Sequence, residues 1–392
     1  MSFPKDRDDP DLLTPERVVL QAPPRFPSAD WYFSRKVYCF LGLPLDAIRL
    51  DKVIDIVRRV NEQKGRLIVL TPNTNDIVQS QSNGLFRNAF LTSDVSIPDG
   101  MPVVWLGKFL GLPISERLAG ADLFDILQQG RAGEMTVFFY GGEDGVAALA
   151  CQKIKSQRGL RCIGCVSPGF GSLEDLSKAE YIDRVNQASP DLLVLSLGKH
   201  GKAWIVKNAS KINRGTISHL GAVINFAAER IQRAPKGLQA LGLEWAWRIL
   251  QEPVLFQRYF RDALALTRLI AKHVLPLKFL QLRTKVFPQE NGNSELRVFC
   301  KSDEFTFQLC GTWTESSLSP LRGGLLTASE RGAAIIFDLA LVSYMDSAVV
   351  GAIISAYGWQ LRNERRFRIS ASSKMATGIL HLHCCDYLFE SA

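Results

Sequence analysis

The sequence predicts an α/β protein built on a mostly parallel sheet with helices on both faces, and two observations lead to that prediction. From Lys36 to about Gly242, short apolar runs alternate with longer helix-like stretches. This alternation is typical of strands joined by crossover helices, as in Rossmann-like folds. Several of the apolar runs also end at short turns of Pro, Gly, Thr, Asn or Asp. In open parallel sheets such turns lie at the carboxyl ends of the strands, where ligands bind.

The predicted strands of this first region are short apolar runs, in order Val37–Gly42, Leu67–Leu70, Asp94–Ile97, Thr136–Tyr140, Arg161–Val166, Leu192–Leu197 and Thr216–Val223. The predicted helices between them are Ala47–Lys64, Asp76–Asn83, Ala121–Gly130, Asp144–Gln157, Ser177–Ala188 and Ala203–Ile212. Turns that follow these strands, at Thr71, Asp99, Gly141 and Gly198, are therefore expected to share one edge of the sheet.

Asp99 is the first candidate for chemistry. It lies in residues 97–102, Ile-Pro-Asp-Gly-Met-Pro, between a predicted strand and the apolar, helix-like stretch Val103–Leu110. Pro and Gly on both sides favour a chain reversal. A single carboxylate at a strand end, without metal-ligating neighbours, suits a general base. The alternative interpretation is that Asp99 only caps the following helix.

Two further turns follow predicted strands. Residues 71–73, Thr-Pro-Asn, place the short polar side chains of Thr71 and Asn73 at a strand-to-helix junction. Such a junction points backbone N–H groups and a helix N-terminus at any anionic ligand. Residues 141–145, Gly-Gly-Glu-Asp-Gly, form a junction of the same kind, but they lack the GxGxxG fingerprint of dinucleotide-binding sites.

Composition narrows the class of protein. The 392 residues are 46% hydrophobic and 22% charged, with a net charge of +8. The length indicates two or three domains, and the positive charge favours a polyanionic or membrane-surface partner. No signature of a nucleic-acid-binding module accompanies the charge, which argues against nucleic acid. The first 29 residues show no signal peptide, and uncharged runs such as Ser347–Leu361 are too short to span a bilayer. A cytoplasmic, soluble or peripheral protein is predicted.

Eight cysteines are scattered along the chain. Cys162 and Cys165 form a CxxC pair, and Cys384 and Cys385 are adjacent. Neither pair has a second Cys pair or a His cluster at zinc spacing. We therefore expect buried free thiols and no metal site.

The character of the sequence changes after Gly242. Residues 254–285 contain seven Lys or Arg against one acidic residue, Asp262, with leucines interleaved. This mixture suits either a helix on an anionic membrane surface or a solvated helix packed on its own domain. Residues 288–294 have the composition of a linker, and the remainder has the size of a domain. Its predicted strands are Glu304–Leu309, Ala333–Asp338 and Phe367–Ala371, with a helix at Ala348–Asn363.

The predicted division of the chain has five parts. They are an N-terminal tail (1–35), an α/β domain (36–242), a basic helical appendage (243–287), a linker (288–295) and a small α/β domain (296–392).

Residues from about Val37 to Arg261 resemble the WecG/TagA/CpsF glycosyltransferases. The matching strings are LGLPLD at 41–46, TPN at 71–73, PDGMP at 98–102, ERLAGAD at 116–122, PDLL at 190–193, RAPK at 233–236 and LGLEW at 241–245. Members of this family add a sugar from a nucleotide donor to a polyprenyl-diphosphate-linked acceptor during synthesis of bacterial surface polysaccharides. The resemblance implies an inverting transfer from UDP-N-acetylmannosamine or a related UDP-sugar to a sugar on undecaprenyl diphosphate. It also implies that no cofactor or metal is needed, and that the enzyme acts at the inner face of the cytoplasmic membrane.

The resemblance also implies roles for residues. Asp99 would be the catalytic base, while Thr71, Asn73 and Arg117 would line the donor site. Residues 197–204, Leu-Gly-Lys-His-Gly-Lys-Ala-Trp, are one residue shorter than the family's string and lack its Gln. Lys202, or His200, is expected to take over that donor contact.

The basic appendage departs from the family in one place. Arg248 and Arg258 match the first and last of three family arginines, whereas Leu255 occupies the middle position. Either the stabilisation of the leaving group is weaker for that reason, or Arg261 compensates for the change. These arginines and Arg117 are the candidates to neutralise the leaving diphosphate, and the arginines of the appendage also the diphosphate of the acceptor. The alternative is a non-catalytic regulatory or scaffold protein with a decayed transferase domain.

The last hundred residues resemble a STAS domain, the fold of anti-sigma-factor antagonists. The resemblance rests on residues 336–340, Ile-Phe-Asp-Leu-Ala, and 345–351, Met-Asp-Ser-Ala-Val-Val-Gly. In the antagonists the phosphorylated serine lies two residues after that Asp, where this chain has Ala348, so Asp346 and Ser347 are the candidate regulatory residues. The resemblance implies a regulatory or docking module with a protein partner. Because the linker is polar, few contacts are expected between this module and the rest of the chain.

Overall fold

The structure is a computed structural model that describes residues 27–114, 116–154, 159–240, 242–286 and 294–390. The expected N-terminal tail as far as residue 26, and the expected linker as far as residue 293, lie outside the described residues.

The described strands, in chain order, are β1 (Val37–Phe40), β2 (Leu43–Asp46), β3 (Arg66–Leu70), β4 (Val95–Ser96), β5 (Met135–Gly141), β6 (Leu160–Val166), β7 (Leu192–Ser196), β8 (Gly215–His219), β9 (Glu295–Lys301), β10 (Glu304–Trp313), β11 (Ala334–Met345) and β12 (Phe367–Ser372).

The described α-helices are α1 (Ala29–Ser34), α2 (Leu50–Glu62), α3 (Thr74–Ser80), α4 (Gly84–Leu91), α5 (Met101–Phe109), α6 (Gly120–Gln128), α7 (Val146–Ile154), α8 (Ala179–Ala188), α9 (Gly201–Asn208), α10 (Val223–Ala227), α11 (Lys236–Ala240), α12 (Glu244–Gln251), α13 (Leu255–Leu269), α14 (Leu275–Val286), α15 (Leu318–Glu330), α16 (Ser347–Arg362) and α17 (Lys374–Leu382).

A six-stranded sheet forms the centre of the first domain. Its strand order is β4-β3-β8-β7-β5-β6, and every neighbouring pair is parallel. Successive side chains of a strand point to opposite faces. Accordingly, Leu67 and Val69 of β3 join one hydrophobic core, whereas Ile68 and Leu70 join the other. The predicted Rossmann-like fold with helices on both faces is confirmed.

The strand order places the predicted turns at one edge of the sheet. From β3 the chain continues to β4 on one side, and the later strands are added on the other side. The crevice next to β3 is therefore the place where such folds bind ligands. Thr71 follows β3, His219 ends β8, and Gly198 follows β7 at this edge.

The prediction that Val37–Gly42 joins the parallel sheet is wrong. Val37–Phe40 instead pairs antiparallel with Leu43–Asp46 in a separate two-stranded hairpin. Leu41 and Gly42 connect them with positive φ angles of 47° and 84°. Two consecutive positive φ values form the tight hairpin turn that suits the twist of antiparallel strands. The predicted strand Thr216–Val223 also ends early: β8 stops at His219, a turn follows, and Val223 already belongs to α10.

The basic appendage is a helical arm. A π-helical turn at Ile270–Val274 connects α13 to α14. Pro276 explains that turn, since its ring lacks an N–H and would collide with the carbonyl of Lys272 in a regular α-helix. Val274 and Leu277 are buried at this junction, where the arm packs against α17. Among the described residues no helix combines the length and apolar character needed to cross a membrane.

The C-terminal region forms a second, mixed sheet with the order β12-β11-β10-β9. β10, β11 and β12 are parallel, and β9 is an antiparallel edge strand. The small α/β domain that the sequence predicts is therefore present, while its likeness to STAS domains stays a prediction.

The expectation of few contacts across the linker is wrong. Both domains contribute to one hydrophobic core, and the Tyr387 hydroxyl donates to the carbonyl of Gly42 at 2.9 Å. Helix α1, which lies within the expected tail, buries Tyr32 and Phe33 in this interface. The linker composition could not reveal these contacts, because they join residues far apart in sequence.

The cysteine prediction needs a correction. Cys162 forms a disulfide with Cys151, with a Cα–Cα distance of 5.1 Å, because α7 packs against β6. Cys385 is a buried free thiol as expected, whereas Cys165 and Cys384 are only partly buried. The CxxC spacing pointed to Cys165 as the neighbour of Cys162. The disulfide partner of Cys162 is instead Cys151, because the packing of α7 on β6 brings these two residues together.

Candidate functional site

Asp99 lies at the carboxyl edge of the sheet, on the turn between β4 and α5. Two backbone hydrogen bonds hold this turn: Asp99 N donates to Pro72 O at 3.0 Å, and Leu118 N donates to Pro98 O at 2.9 Å. The N-cap of α5 is Gly100, which has a positive φ of 89° and provides no side-chain cap. The Asp99 side chain therefore does not cap α5, which removes the structural alternative that the sequence left open.

A group of opposite charges lies beside Asp99. Arg117 Nη1 contacts Glu244 Oε2 at 2.8 Å, and Arg117 Nη2 contacts Asp122 Oδ2 at 3.3 Å. Arg233 contacts the other oxygen of Asp122 at 2.7 Å. The side chain of Arg117 is only 11% exposed. These pairs join the segments around residues 117, 233 and 244 to the turn that carries Asp99.

The electrostatic environment raises the pKa of Asp99 to about 7. Burial is the main cause, because it disfavours the charged carboxylate. The nearby Arg117 guanidinium lowers the pKa, and the carboxylates of Glu244 and Asp122 raise it. A carboxyl group with a pKa close to neutral pH can both hold and release a proton under physiological conditions, which is what a general base requires.

Thr71 and Asn73 lie beside Asp99, on the turn after β3. Thr71 is buried, and its hydroxyl faces the first residue of α6, since a Cβ added to Gly120 would lie 3.3 Å from Thr71 Oγ1. Asn73 is the N-cap of α3, where its side-chain oxygen accepts from Asp76 N at 3.2 Å and Asp76 reciprocates. The Asn73 side chain therefore stabilises the start of α3, and its role in binding the donor stays a prediction.

Lys202 is buried below the same edge. Its ammonium contacts Asp76 Oδ1 at 3.3 Å and donates to His219 Nδ1 at 2.9 Å. Burial and the Lys202 cation hold the pKa of His219 well below its usual range. The other ring nitrogen of His219, Nε2, faces Gly201. A Cβ added to Gly201 would lie 2.2 Å from that nitrogen. Lys202 thus joins α3, α9 and β8, and a donor contact from it stays a prediction.

The helical arm reaches the same part of the sheet edge. Asp262, a buried residue of α13, accepts from Asn75 Nδ2 at 3.0 and 3.2 Å at the start of α3. Arg258 and Arg261 both precede Asp262 on the same helix and are exposed. They lower the pKa of Asp262 against the effect of burial. Arg248 of α12 instead pairs at 3.1 Å with Glu252, the residue that follows this helix. The arm therefore brings Arg258 and Arg261 close to the turn of Thr71 and Asn73.

Asp346 and Ser347 lie at the start of α16, far in sequence from these groups. Asp346 Oδ1 accepts from Ala348 N and Val349 N at 3.0 Å. The helix N-terminus is therefore occupied by the protein's own carboxylate. Ser347 Oγ lies 3.0 Å from His383 Nε2, and both side chains are buried. Burial lowers the pKa of His383 to about 4. The regulatory role of this pair stays a prediction.

Sequence reasoning missed several residues of the site. Asp122, Arg233 and Glu244 lie in strings that were recognised, but nothing in their spacing showed that they pair with one another around Arg117. His219 lies inside the predicted strand Thr216–Val223, and only the earlier end of the observed strand, at His219 itself, places it at the ligand edge. The sequence therefore contained no signal that could have identified it.

Comparisons with known proteins show which proteins this chain is similar to. The profile of the glycosyl transferase WecG/TagA/CpsF family matches residues 38–278. A similar protein is the N-acetylglucosaminyldiphosphoundecaprenol N-acetyl-beta-D-mannosaminyltransferase of Bacillus spizizenii, which is 27% identical over 201 residues, covering 51% of this chain and 76% of the relative. Because the family match covers more than half of the sequence, the chain belongs to the WecG/TagA/CpsF family of glycosyltransferases.

Proposed function

We propose that the protein is an inverting glycosyltransferase that moves N-acetylmannosamine, or a related sugar, from a UDP-sugar to a sugar on a polyprenyl diphosphate. The observation that carries the proposal is the position of Asp99, a partly buried carboxylate at the ligand-binding edge of the sheet. Its pKa is raised to about 7, and its side chain does not cap the helix that follows, whose N-cap is Gly100. The activity for which the Bacillus spizizenii relative is named supports this choice of donor sugar and lipid acceptor.

In the proposed reaction, Asp99 takes the proton of an acceptor hydroxyl group. The hydroxyl oxygen then attacks the anomeric carbon from the face opposite the nucleotide, and the bond to the nucleotide diphosphate breaks. The departing diphosphate gains negative charge, which nearby cations stabilise. Arg258 and Arg261 are suited to that task because they are exposed and anchored through Asp262.

Arg117 has a different task in this proposal. Its guanidinium is already paired with Asp122 and Glu244, so little of its charge remains for a leaving group. It instead holds α12 and the start of α6 around Asp99 and limits how far the pKa of Asp99 rises. Thr71, Asn73 and Lys202 are proposed to line the donor side, and the 141–145 turn lies further along the same edge.

The test is a transfer assay on the full chain. The protein is incubated with a short-chain polyprenyl diphosphate that carries N-acetylglucosamine, together with a panel of UDP-sugars, and the lipid products are identified by mass spectrometry. We expect one UDP-N-acetylhexosamine to give a disaccharide product with inverted anomeric configuration. No product with any donor would support the alternative of a decayed, non-catalytic domain.

We also propose that the helical arm binds the inner surface of the cytoplasmic membrane. Large apolar side chains of α13 and α14 are exposed, including Phe260 at 63% and Phe279 at 69%. Arg258, Arg268 and Lys272 are exposed on the same arm. Exposed apolar side chains flanked by cations are typical of helices that lie in a bilayer interface.

Vesicle co-sedimentation tests the membrane proposal. We expect binding to vesicles with anionic lipids that weakens as salt is added, because Coulomb attraction is screened over about 10 Å at 0.1 M salt. The double variant Phe256→Ser/Phe260→Ser should lose most of that binding. The matched control is Val298→Ser/Phe299→Ser, which removes an exposed apolar pair from β9. Equal loss in both variants, or equal binding to neutral vesicles, would contradict the assignment.

A further inference from the structure

Helix α16 of the C-terminal domain lies directly against the first domain. A Cβ added to Gly358 would lie 1.9 Å from the carbonyl oxygen of Leu91, at the end of α4. The next residue of α16, Trp359, has its ring 5.0 Å from the ring of Tyr32. Contact this close between backbones leaves no room for water, so the two domains form one packed unit.

A buried charge cluster forms the centre of this contact. Arg362, the last residue of α16, makes an ion pair with Asp94 Oδ1, and the side chain of Asp94 is fully buried. The second oxygen of Asp94 accepts from Ile68 N of β3 at 2.7 Å. Breaking a buried pair by removing one partner leaves the other charge uncompensated, so Asp94 depends on Arg362.

A second pair completes the cluster from the side of the hairpin. Arg35 contacts the carboxylate of Asp46 at 3.1 Å and also donates to the Asp94 carbonyl. Asp46 Oδ2 in turn accepts from Ser96 N at 2.7 Å. Asp94, just before β4, and Ser96, within it, are therefore held by side chains that include Arg362 of the C-terminal domain and Arg35 and Asp46 of the N-terminal part of the chain.

β4 depends on such contacts because it is short and lies at the edge. It consists of Val95 and Ser96 alone, and β3 is its one neighbour in the sheet. Asp99 follows three residues after Ser96. A displacement of β4 would therefore be transmitted directly to the Asp99 carboxylate. Misplacement of a catalytic group by about 1 Å can lower the rate roughly 100-fold.

We propose that Arg362 is a positioning residue for sugar transfer: through its buried ion pair with Asp94 it holds β4 and the turn that carries Asp99. The C-terminal domain is then a working part of the transferase rather than an attached regulator. The inference rests on the proposed role of Asp99 as the base, but its own evidence is the contact between Arg362 and Asp94.

The experiment compares Arg362→Gln, Arg362→Lys and a matched control, Arg366→Gln, in the full-length protein. Arg366 is an exposed arginine at the same end of the domain, 86% exposed and 3.8 Å from Glu304. For Arg362→Gln we expect kcat to fall by about 10- to 100-fold, while KM for the nucleotide sugar changes by less than about threefold. Arg362→Lys should recover part of kcat, and the control should match the wild type.

A pH profile separates positioning from a loss of folded protein. Fewer folded molecules would lower kcat at every pH and leave the apparent pKa of the acidic limb unchanged. Displacement of Asp99 relative to Arg117 changes the surroundings of the carboxylate, so the limb of Arg362→Gln should move along the pH axis. A folded Arg362→Gln protein with unchanged kcat and an unchanged limb would overturn the proposal.

Two further results would separate the positioning role of Arg362 from the folding of the protein and from the role of Asp99. If Arg362→Gln does not fold, Asp94→Asn decides: it removes the charge that Arg362 pairs with but keeps the size of the side chain and an oxygen that can accept from Ile68 N, and wild-type kcat with an unmoved limb would overturn the proposal. If Asp99→Asn retains full activity, the proposed function fails whatever Arg362 does. Loss of activity in Asp99→Asn together with no effect at Arg362 would leave the base assignment standing and remove the positioning role alone.

Discussion

Asp99 and Asp346 occupy equivalent positions at the ends of strands in two different sheets, but their carboxylates differ in the hydrogen bonds that they accept. Each follows a parallel strand and precedes a helix, and burial raises the pKa of both. Asp346 accepts hydrogen bonds from the backbone N–H groups of Glu315, Ala348 and Val349. Among the described residues, the Asp99 side chain accepts none, and its neighbours are charges. A carboxylate saturated with backbone donors stabilises the fold, whereas one without such donors stays available to a substrate proton.

The largest expected effect that tests this comparison is on catalysis. Asp99→Asn keeps the shape of the side chain but cannot accept a proton, so we expect kcat to fall by about 10²- to 10⁴-fold. Circular dichroism should show an unchanged fold. Asp183→Asn, on the exposed face of α8, is the control and should leave kcat as in the wild type. Near wild-type turnover in Asp99→Asn would make Asp99 a structural residue like Asp346.

The second expected effect is on pH dependence. Because Asp99 must be ionised to act as a base and its pKa is about 7, kcat/KM should fall about tenfold for each pH unit below 7. Glu244→Gln removes a charge that raises this pKa and frees Arg117, which lowers it. The acidic limb of that variant should therefore move to lower pH. A limb that stays in place would show that another group controls the profile.

The smallest expected effects are on stability, and they have opposite signs at the two sites. Asp346→Ala removes a helix cap and should lower the free energy of unfolding by about 1–2 kcal/mol in urea titrations, with far less effect on kcat than Asp99→Asn. The folded-state pKa of Asp99 lies above its unfolded value of 3.8, so the ionised carboxylate destabilises the fold increasingly as pH rises from about 4 to 7. Asp99→Asn should therefore exceed the wild type in Tm at pH 8, with a smaller difference at pH 5.5. A Tm below the wild type at both pH values would contradict this account.

The parallel sheet and its ligand edge were predictable because they depend on local patterns. Apolar runs such as Leu67–Leu70 contribute to a core on each face, and their terminal turns show where side chains such as Thr71 and Asp99 gather. The β1–β2 hairpin was not predictable in the same way, because its turn uses Leu41 and Gly42 rather than the Asn-Gly or Asp-Gly pairs that favour such turns.

The domain interface was beyond sequence patterns for a different reason. Arg362 and Asp94 are 268 positions apart. From sequence alone, a charged residue at the end of a helix is expected to be exposed to solvent. Likewise, the pairing of Arg117 with Glu244 depends on how α12 returns to the sheet. The catalytic candidate followed from local sequence, whereas the residues that fix its pKa and position came from tertiary packing.

The buried hairpin has a consequence for how the protein is made. All the residues of β1 and β2, from Val37 to Phe40 and from Leu43 to Asp46, are buried, and α16 forms a large part of their cover. During synthesis from the N-terminus, that cover is produced about 300 residues later, which takes roughly 15–60 s at 5–20 residues per second. The nascent chain therefore exposes an apolar hairpin for that whole interval. Contacts between the first and last parts of the chain can close only after α16 has been made.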